Sequence, residues 1–245
     1  MRKEYSISTS PQSVRLVKEQ QVTTPIPSNA PGFFIALEGI DATGKSTIAN
    51  MVTEFMERHE VDFIRTREPG GTPSAEILRE LVIWGTGEGK DDWTHMTEAL
   101  LYLASRVQHT EVLIKPSLQA GKMVFCERYY DSTYAHQGGG RKIDVPTLKQ
   151  LHALTIGSFK PDLIILLDGD PVNLQERMIA RGKLDRLEKE GLEFQQRSRQ
   201  IHLEQVQEDP GRYLVVNVER PIEEVFADIE KELLNILKHH FKKAV

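Results

Sequence analysis

The sequence predicts an α/β fold in which a five-stranded parallel sheet carries helices on both faces. Five short apolar runs alternate with segments of helical periodicity, and the longer runs are continuously apolar, as in strands buried on both sides. The first run leads directly into a glycine-bounded loop and then a helix. Alternating strands and helices form parallel sheets with right-handed connections. The predicted strands start near residues 33, 61, 123, 161 and 213.

Composition sets limits on the class of protein. The chain has 245 residues, of which 39% are hydrophobic and 27% charged, so it can build one substantial core. A net charge of −5 gives no reason to expect a nucleic-acid partner. The single cysteine, Cys126, excludes a disulfide within the chain and favours a reducing compartment. Without a long apolar run or a signal-peptide core, we expect no membrane association and a cytoplasmic location.

The chain divides into a short extension and one domain. Residues 1–31 are rich in Ser, Thr, Gln and Pro, and their few apolar side chains include only Val14, Leu16 and Val17 as packing candidates. Burial of so few apolar side chains cannot offset the conformational entropy that the segment would lose on ordering. We therefore expect a flexible N-terminal extension. Residues 32–245 then form the α/β domain. Nothing specific in the extension supports a partner-binding role.

The stretch from Phe33 to Thr47, FFIALEGIDATGKST, predicts a phosphate-binding loop. It has the pattern GxxxxGK[ST] after a strand and before a helix, and this order is what a P-loop requires. Glycines at both ends let successive N–H groups converge on an anion, and the following helix adds its free N-terminal N–H groups. Lys45 supplies a charge for the terminal phosphates, and Ser46 a hydroxyl for Mg²⁺. The predicted ATP-binding residues are Gly39, Ile40, Asp41, Ala42, Thr43, Gly44, Lys45, Ser46 and Thr47.

The elements between the second and third strands are a loop and two helices. After the loop REPGG, Thr72 is a plausible N-cap of a helix that runs to about Trp84. Residues 85–92, GTGEGKDD, indicate a solvent-exposed loop. Apolar periodicity then predicts a long helix over 93–119, with Pro116 placed to bend its last turns.

The second half of the chain repeats the alternation of helix and strand. The segment HQGGGR at 136–141 is interpreted as a loop with unusual backbone freedom, and the charged segment RGKLDR at 181–186 as another loop. The remaining helices are expected over 145–156, 171–181, 190–208 and 221–241.

Charged side chains follow the predicted strands where a ligand is expected. In open α/β sheets, ligands bind beyond the carboxyl ends of the strands. Arg67 and Glu68 follow the second strand, Glu127 and Arg128 the third, and Asp168 the fourth. Arginines and carboxylates around a P-loop suit a second anion that faces the nucleotide. Phosphoryl transfer between two phosphorylated molecules needs this arrangement, because the shared charge must be neutralised and the reactants aligned.

Several longer motifs then resemble one family. They are TREPGGT (66–72), ALLYLASRVQ (99–108), ERYYDSTYAHQGGGR (127–141), PDLIILLD (161–168) and RGKLDRLE (181–188). In this order they resemble thymidylate kinases over about residues 33 to 230. The resemblance implies the P-loop nucleoside monophosphate kinase fold with a short lid around 177–190. It also implies transfer of the γ-phosphate of ATP to dTMP with Mg²⁺, giving dTDP and ADP, in a homodimer.

The resemblance also implies roles for residues at matching positions. Asp41 would accept a hydrogen bond from the 3′-hydroxyl of dTMP, and Arg67 and Arg128 would hold the dTMP phosphate. Arg79 would donate to a thymine carbonyl. Further members of the pocket would be Arg106, Thr133, His136 and Gln137, with Leu78 or Leu81 beside the base.

Thymidylate kinases place a catalytic arginine either in the P-loop or in the lid. Here Ile40–Thr43 contain no basic residue, so the sequence resembles the lid-arginine arrangement. We expect Arg181 or Arg186 to close over the phosphates, because the charge that develops there needs a positive group beyond Lys45. The basic residues of the lid segment are Arg177, Arg181, Lys183 and Arg186.

Two positions depart from the family pattern. Glu127 stands where Asp is usual, which lengthens the carboxylate by one methylene and changes its reach toward Mg²⁺. His136 stands where Tyr usually crowds the sugar, and a histidine is smaller and can titrate near neutral pH. These departures leave the selectivity for deoxyribose and thymine open. The expected catalytic residues are Lys45, Glu127, Arg128, Arg181 and Arg186, and the expected metal ligands are Ser46 and Glu127.

Structural explanations compete with these roles. An arginine on a helix, such as Arg79 or Arg106, is more often a solvent-facing charge, and for Arg197 and Arg199 this interpretation is adopted. Asp168 fits a turn residue as well as a position near Mg²⁺.

Alternative functions also stay open. A GTPase would need an NKxD motif, which the sequence lacks. A broader deoxynucleoside monophosphate kinase, acting on dUMP or another dNMP, is the nearest alternative. A regulatory nucleotide-binding module is another, but a mere binder has no need of a second phosphate site with Arg67 and Arg128.

Overall fold

The computed structural model describes residues 32–85, 92–180 and 190–242, with only the backbone for 176–180. The described residues form one sheet of five parallel strands in the order β2-β3-β1-β4-β5. This confirms the predicted α/β fold. The predicted extension over 1–31 lies outside the described residues. The strands are β1 Phe33–Glu38, β2 Phe63–Arg67, β3 Met123–Glu127, β4 Leu163–Asp168 and β5 Tyr213–Asn217.

The strand register brings the carboxyl ends to a common edge. Glu127 at the end of β3 pairs with Leu37 of β1 and Arg67 of β2, and Asp168 at the end of β4 pairs with Asn217. The loops that follow these residues therefore open toward the same side of the sheet. The helices are α1 Lys45–Arg58, α2 Pro73–Trp84, α3 His95–His109, α4 Lys115–Gln119, α5 Tyr130–Thr133, α6 Val145–Ile156, α7 Pro171–Ala180, α8 Leu192–Glu208 and α9 Ile222–His239.

Alternate side chains of β1 supply both halves of the core. Ile35 and Leu37 pack with residues of α1 and α9 in one fully buried cluster. Phe34 and Ala36 point to the opposite face and pack with residues of α3, β3 and α6. Because both faces are covered, β1 is apolar at every position until Glu38, which explains its continuous hydrophobic run.

The predicted N-cap of α2 is confirmed, because the Thr72 hydroxyl accepts a hydrogen bond from the backbone N–H of Ala75. Thr94 caps α3 in the same way, through the backbone N–H of Thr97. The long helix predicted over 93–119 contains a π-helical segment, Thr110–Ile114, before α4. Pro116 lacks the N–H that a regular helix needs, and the π-helical segment ends two residues before it, at Ile114.

The interpretation of HQGGGR as a loop is wrong. Tyr134–Gly140 is a π-helical segment that packs closely against α8. A Cβ on Gly140 would lie 2.2 Å from the Phe194 ring, and one on Gly139 would lie 2.6 Å from the Arg197 carbonyl oxygen. These glycines therefore permit close packing of two helical segments rather than backbone freedom. Within the described ranges, none of the helices combines the length and apolarity needed to span a bilayer.

Candidate active site

A cavity of about 500 Å³ lies at the carboxyl edge of the sheet. Its size falls in the range of small-molecule sites. Most of the predicted site residues line it. They are Asp41, Ala42, Gly44, Lys45, Ser46, Thr47, Arg67, Arg79, Arg106, Glu127, Arg128, Thr133, His136 and Gln137. Gly39, Ile40 and Thr43 belong to the same loop but do not line this cavity.

The P-loop folds around its own lysine. Gly39 and Gly44 have positive φ, of 140° and 86°, which glycine adopts without a Cβ penalty. The Lys45 Nζ donates to the carbonyl oxygens of Gly39, at 3.0 Å, and Ile40, at 2.6 Å. The Thr43 hydroxyl also donates to Ile40, at 2.9 Å. The loop is therefore held in a preformed shape with Lys45 at its centre.

The surroundings of Lys45 lower the pKa of its ammonium group. Burial disfavours the ammonium form, and the nearby Arg128 guanidinium adds repulsion, so the pKa of Lys45 falls to about 7. Its carbonyl partners do not bring a negative charge. An anion bound in the loop would favour the ammonium form and raise this pKa again.

Arg128 joins the P-loop to the opposite wall of the cavity. Its Nη2 contacts the Asp41 Oδ1 at 2.5 Å, and its Nη1 donates to the Gly39 carbonyl oxygen at 3.1 Å and the Ser132 hydroxyl at 3.2 Å. Arg128 itself has φ of 68°, a left-handed conformation that is uncommon outside glycine. Such backbone strain persists where surrounding contacts fix it, often at functional sites.

Asp41 is a fixed anion in this cavity. Burial favours its neutral form, but Arg128 and Lys45 beside it hold the pKa of Asp41 well below its usual range. The Gln195 amide donates to the second carboxylate oxygen at 3.0 Å, and its oxygen accepts from the Asp41 backbone N–H at 3.4 Å. Gln195 was missed by the sequence analysis, because a glutamine on a polar helix carries no signal.

A buried carboxyl group supports the loop that carries Arg128. Glu38 is fully buried, and it accepts from the Tyr129 backbone N–H at 2.6 Å and from the Ser132 hydroxyl at 2.5 Å. Burial raises the pKa of Glu38, although these hydrogen bonds oppose the rise. Ser132 therefore connects Glu38 to the Arg128 guanidinium, so the buried Glu38 carboxyl group helps to hold Arg128 in the cavity wall.

Arg67 and Arg79 lie at the outer part of the cavity. Arg67 pairs with Glu76 at 2.8 Å in a half-exposed position. The Arg79 Nη1 donates to the Pro69 carbonyl oxygen at 2.8 Å, which leaves its other N–H groups to point elsewhere. Burial lowers the pKa of Arg79, and repulsion from Arg67 adds to this. The two guanidinium groups are therefore close enough to repel, as expected of side chains that share an anion site.

The solvent-facing interpretation of Arg106 is wrong. Only 2% of this residue is exposed, and its Nε bonds to the Glu68 carboxylate at 2.6 Å. Its Nη2 donates to the Tyr129 carbonyl oxygen at 3.0 Å. His109 bonds to the other Glu68 oxygen at 3.1 Å. A buried charge needs such partners, so this pair fixes the REPGG loop against α3.

Gln137 and Thr133 bring neutral polar groups to the cavity. The Gln137 Nε2 donates to Glu98 at 2.8 Å, which orients the amide so that its oxygen faces away from that carboxylate. Glu98 is fully buried and also binds Arg141 at 3.2 Å. The Thr133 hydroxyl is buried and has no hydrogen-bond partner among the described residues. An orphaned hydroxyl in a cavity wall favours contact with a polar ligand.

His136 is a buried histidine that lines the cavity. Only 4% of it is exposed, and its Nδ1 donates to the Ser132 carbonyl oxygen at 2.7 Å. Burial lowers the pKa of His136 to about 4, and Arg128 nearby adds to the effect. The expectation that this histidine titrates near neutral pH is therefore wrong.

Oxygen groups that suit Mg²⁺ lie beside the P-loop. Ser46 and Glu127 line the same cavity, and hydroxyl and carboxylate oxygens are ligands that Mg²⁺ prefers. Arg65 holds the Glu127 Oε1 through two N–H groups, at 3.2 and 2.8 Å. In the described part of the chain, no cluster of three His, Cys, Asp or Glu side chains could bind a metal unaided. The donor set therefore fits a cation that is shared with a phosphate ligand.

Arg197 and Arg199 are partly exposed, at 35% and 31% of their side chains, but each has specific partners. Arg199 grips both oxygens of Asp168, at 2.7 and 2.9 Å, at the end of β4. Arg197 donates to the carbonyl oxygens of Gly139 and Gly140, each at 3.0 Å. These arginines fix α8 to the sheet and to the π-helical segment. The predicted lid arginines Arg181 and Arg186 lie outside the described residues.

Other cavity residues were missed although helical spacing could have found them. Tyr102 lies four residues before Arg106 on α3, and Ile83 lies four residues after Arg79 on α2. Residues at this spacing share a helix face. The predicted Leu78 and Leu81 do not line the cavity, whereas Ile83 of the same helix does.

Comparison with known proteins adds an independent finding. A family model described as thymidylate kinase matches residues 37–229. The chain is 42% identical over 202 residues to a thymidylate kinase of Hahella chejuensis, covering 82% of this chain and 96% of that protein. It is 41% identical over 208 residues to one from Pseudomonas putida F1, covering 84% and 97%. The crystal structure of thymidylate kinase from Ehrlichia chaffeensis matches with a TM-score of 0.66 and 32% identity, covering 83% of this chain and 99% of that one.

Proposed function

The chain belongs to the thymidylate kinase family, and we propose that it transfers the γ-phosphate of ATP to dTMP, yielding dTDP and ADP. One observation carries the proposal beyond the family. A single cavity joins a P-loop to a second wall that bears arginines, so two phosphorylated molecules can meet there. A protein that only binds ATP has no use for the second wall.

The P-loop forms the donor half of the site. Its residues Gly39–Thr47 would wrap the β- and γ-phosphates with backbone N–H groups and the N-terminus of α1. Lys45 would exchange its bonds to loop carbonyls for bonds to phosphate oxygens. The Nζ atom already lies at the centre of the loop, so the exchange needs little movement of the side chain.

Guanidinium groups would hold the acceptor phosphate. Arg128 lies between the P-loop and the opposite wall, and Arg67 lies at the rim. A planar guanidinium can bind two phosphate oxygens at once, which fixes direction as well as distance. To reach a phosphate, Arg67 would give up its half-exposed pair with Glu76. An exposed pair of this kind is worth only about 0–1 kcal/mol.

Neutral groups would identify the base. Thymine offers two carbonyl acceptors and one N–H donor. Arg79 would donate to a carbonyl, and the Gln137 oxygen, turned away from Glu98, would accept from the N–H. The buried Thr133 hydroxyl would gain a partner. Arg106, held by Glu68, would fix the wall behind the base.

Catalysis would depend on positioning and charge. The acceptor is a phosphate oxygen that is already nucleophilic, so no strong base is required. Lys45 and Arg128 would offset the negative charge shared by the two phosphates. We also propose that Arg181 or Arg186 completes this set, since the P-loop itself supplies no arginine. Lid closure would exclude water from the transfer.

Mg²⁺ fits the donor half. Ser46 would bind it together with ATP, and Glu127 would contact it directly or through water. The ion would neutralise phosphate charge when bound. Arg65, through its bonds to the Glu127 Oε1, would hold the carboxylate in one orientation.

We further propose a homodimer that works in the cytoplasm. An exposed apolar face on α2 and α3 supports the dimer: Ile77 is 65% exposed, Trp84 52% and Leu100 46%. Apolar surface of this kind often marks an interface. Leu103 and Ile114 of the same helical region are buried in the core and so are not part of this face. The single buried cysteine, Cys126, supports a reducing compartment.

The proposal can be tested by measuring the rate of ADP release from ATP in the presence and in the absence of dTMP. We expect ADP release to depend on dTMP, with slower turnover of dUMP and dGMP. A protein that hydrolyses ATP at the same rate with and without dTMP would contradict the proposal. A protein that turns over dUMP or dGMP as well as dTMP would instead be a broader deoxynucleoside monophosphate kinase.

A further inference from the structure

A buried carboxylate lies behind the part of the cavity wall that Gln137 forms. Glu98 is fully buried in the first turn of α3, and its Oε1 accepts a hydrogen bond from the Gln137 Nε2 at 2.8 Å. Gln137 itself is buried and lines the cavity. A side-chain amide has a donor end and an acceptor end of similar size, so its partners decide which end meets a ligand. Glu98 is the partner that decides at Gln137.

Arg141 keeps Glu98 in the form that accepts hydrogen bonds. The Arg141 Nη2 lies 3.2 Å from the Glu98 Oε2, and its Nε lies 3.3 Å from Oε1. A guanidinium only donates, so it favours the carboxylate over the protonated acid. The first turn of α3 also favours a negative charge, because the positive end of the helix dipole lies there. Arg141 is fixed in turn by Glu190, at 2.5 Å.

The carboxylate fixes the Gln137 amide in one of its two orientations. An ionised carboxylate has no proton to donate, so the amide atom that faces it must be the nitrogen. The reversed amide would place two acceptor oxygens 2.8 Å apart in a buried position, without a hydrogen atom between them. The Gln137 oxygen is therefore the end of the amide that remains for a ligand in the cavity.

Pyrimidine bases differ in what they present to such an oxygen. Thymine and uracil carry a hydrogen on N3, whereas cytosine has a lone pair there, which an acceptor oxygen repels. A buried site built to pair with one pattern rejects the other, because its polar group is left without a partner. The Thr133 hydroxyl does not discriminate between these bases, since its O–H can rotate to donate or accept. Arg79 is held by the Pro69 carbonyl oxygen, so its own preference does not depend on Glu98.

We propose that Glu98, held by Arg141, is the positioning residue through which the acceptor site selects thymine and uracil over cytosine. The inference rests on the proposed function, because that function assigns Gln137 to the base of the acceptor. Glu98 does not line the cavity and acts only through the amide that it orients. Base selection then depends on a charge outside the site as well as on the residues that touch the base.

The isosteric variant Glu98→Gln should reverse the amide of Gln137. Because Arg141 only donates, the new amide at position 98 would turn its oxygen toward Arg141 and its NH2 group toward Gln137. Gln137 would then rotate so that its oxygen accepts from this NH2 group. Its own NH2 group would face the cavity, where it suits the lone pair on N3 of cytosine. The shape of the wall is retained, and only the hydrogen-bonding pattern changes.

The test compares dUMP and dCMP, which share the sugar and phosphate and differ only at N3 and the 4-position of the base. We expect the full-length protein to favour dUMP by at least about 100-fold in kcat/KM. We expect Glu98→Gln to lower kcat/KM for dUMP by about tenfold and to raise it for dCMP by about tenfold. Damage to the structure alone would lower both values, so the gain with dCMP is the diagnostic result.

The matched control is Glu193→Gln, the same chemical change on α8. The Glu193 side chain is 89% exposed and its ion pair with Arg197 is long, at 3.5 Å, so both substrates should be used as before. A second variant, Gln137→Met, removes both ends of the amide and should lower the ratio of dUMP to dCMP by about tenfold. In the Gln137→Met background, Glu98→Gln should no longer change this ratio. Circular dichroism of each variant shows whether it is folded.

The outcomes separate this inference from the proposed function. A folded Glu98→Gln variant that loses activity with both substrates, or keeps the wild-type ratio, would overturn the inference and leave the function intact. If Glu98→Gln does not fold, equal use of dUMP and dCMP by the wild type, or an unchanged ratio in Gln137→Met, would overturn it. A protein that phosphorylates no nucleotide contradicts the proposed function, and the affinities for dUMP and dCMP from calorimetry then decide the inference. A gain with dCMP in Glu98→Gln, absent in Glu193→Gln, supports it.

Discussion

The donor and acceptor halves of the cavity are built in different ways. The donor half is one loop, Gly39–Thr47, whose groups are mostly backbone and whose lysine is satisfied by carbonyl oxygens of the same loop. The acceptor half takes side chains from elements far apart in the chain, such as Arg79 on α2, Arg106 on α3 and Gln137 in the π-helical segment. Its charges are paired with one another before any ligand arrives.

The difference indicates which half can be predicted from a short stretch of sequence and which half depends on tertiary contacts. A backbone cradle needs only glycine, a lysine and a helix, so any P-loop can supply it. A wall of paired charges works only when the sheet and helices bring its members together. Arg128 links the two halves, because it contacts Gly39 and Asp41 in the loop and Ser132 on the opposite wall.

The largest effect is expected at this link. We expect Arg128→Ala to lower kcat/KM for dTMP by about 1,000-fold. The substitution removes the positive charge beside the phosphates and leaves the Asp41 carboxylate without its ion-pair partner. Steady-state kinetics with both substrates will measure this. The control is Arg58→Ala, whose ion pair with Glu230 is exposed and far from the cavity. A loss below about tenfold for Arg128→Ala would mean that the two halves do not meet at this residue.

The next effect should separate the halves. We expect Lys45→Met to weaken ATP binding by about 100-fold and dTMP binding by less than about threefold. Arg79→Met should do the opposite, weakening dTMP binding by about 10- to 100-fold with ATP binding retained. Isothermal titration calorimetry with each ligand alone measures both. Equal losses for both ligands in either variant would argue against two distinct halves.

The close packing behind the acceptor half gives a prediction about stability. In Gly140→Ala the new Cβ would meet the Phe194 ring at 2.2 Å, so the π-helical segment and α8 must separate. We expect the free energy of unfolding to fall by about 1–3 kcal/mol. Chemical denaturation measures it. Gly211→Ala is the matched control, since no atom lies within 4 Å of the added Cβ. Equal stability of both variants would show that the contact with Phe194 relaxes at no cost.

The smallest expected effect is the uptake of a proton by Lys45 when ATP binds. The pKa of Lys45 is about 7 without ligand, because burial and Arg128 disfavour the charged form. Phosphate charge favours the ammonium form, so ATP binding should raise this pKa. At pH 8 we expect uptake of about one proton per ATP bound, and binding should weaken as pH rises above 7.

Calorimetry in buffers of different ionisation enthalpy measures this uptake. Lys45→Met should abolish it, because the titrating group is gone. Uptake that persists in Lys45→Met would assign the proton to another group and leave Lys45 charged in the free protein.

The contrast between the halves also explains what the sequence could predict. The five strands and the N-cap at Thr72 follow from local pattern, and the structure confirms these features of the fold. The P-loop residues were likewise predicted from a local motif. Arg67 and Arg128 could be placed at the cavity because they follow strands, whose carboxyl ends share one edge. In each case the information lies within a few residues of sequence.

The remaining features depend on contacts between distant segments. Gln195 reaches Asp41 across 154 positions in sequence, and no local pattern marks it. Arg199 looks like a surface charge until α8 is placed against the end of β4, where it binds Asp168. The pKa of His136 depends on burial, which a sequence does not state. Residue type alone therefore misjudged exposure, and with it the charge of the site.

The most direct test of the account follows the γ-phosphate itself. The protein would be mixed with ATP labelled at the γ-phosphate and with dTMP, and the products separated. The account predicts that the label appears in dTDP in amounts equal to the ADP formed, and that Arg128→Ala slows this transfer without diverting the label. Label released as inorganic phosphate, or retained in ATP when dTMP is present, would contradict the claim that the cavity joins a donor and an acceptor.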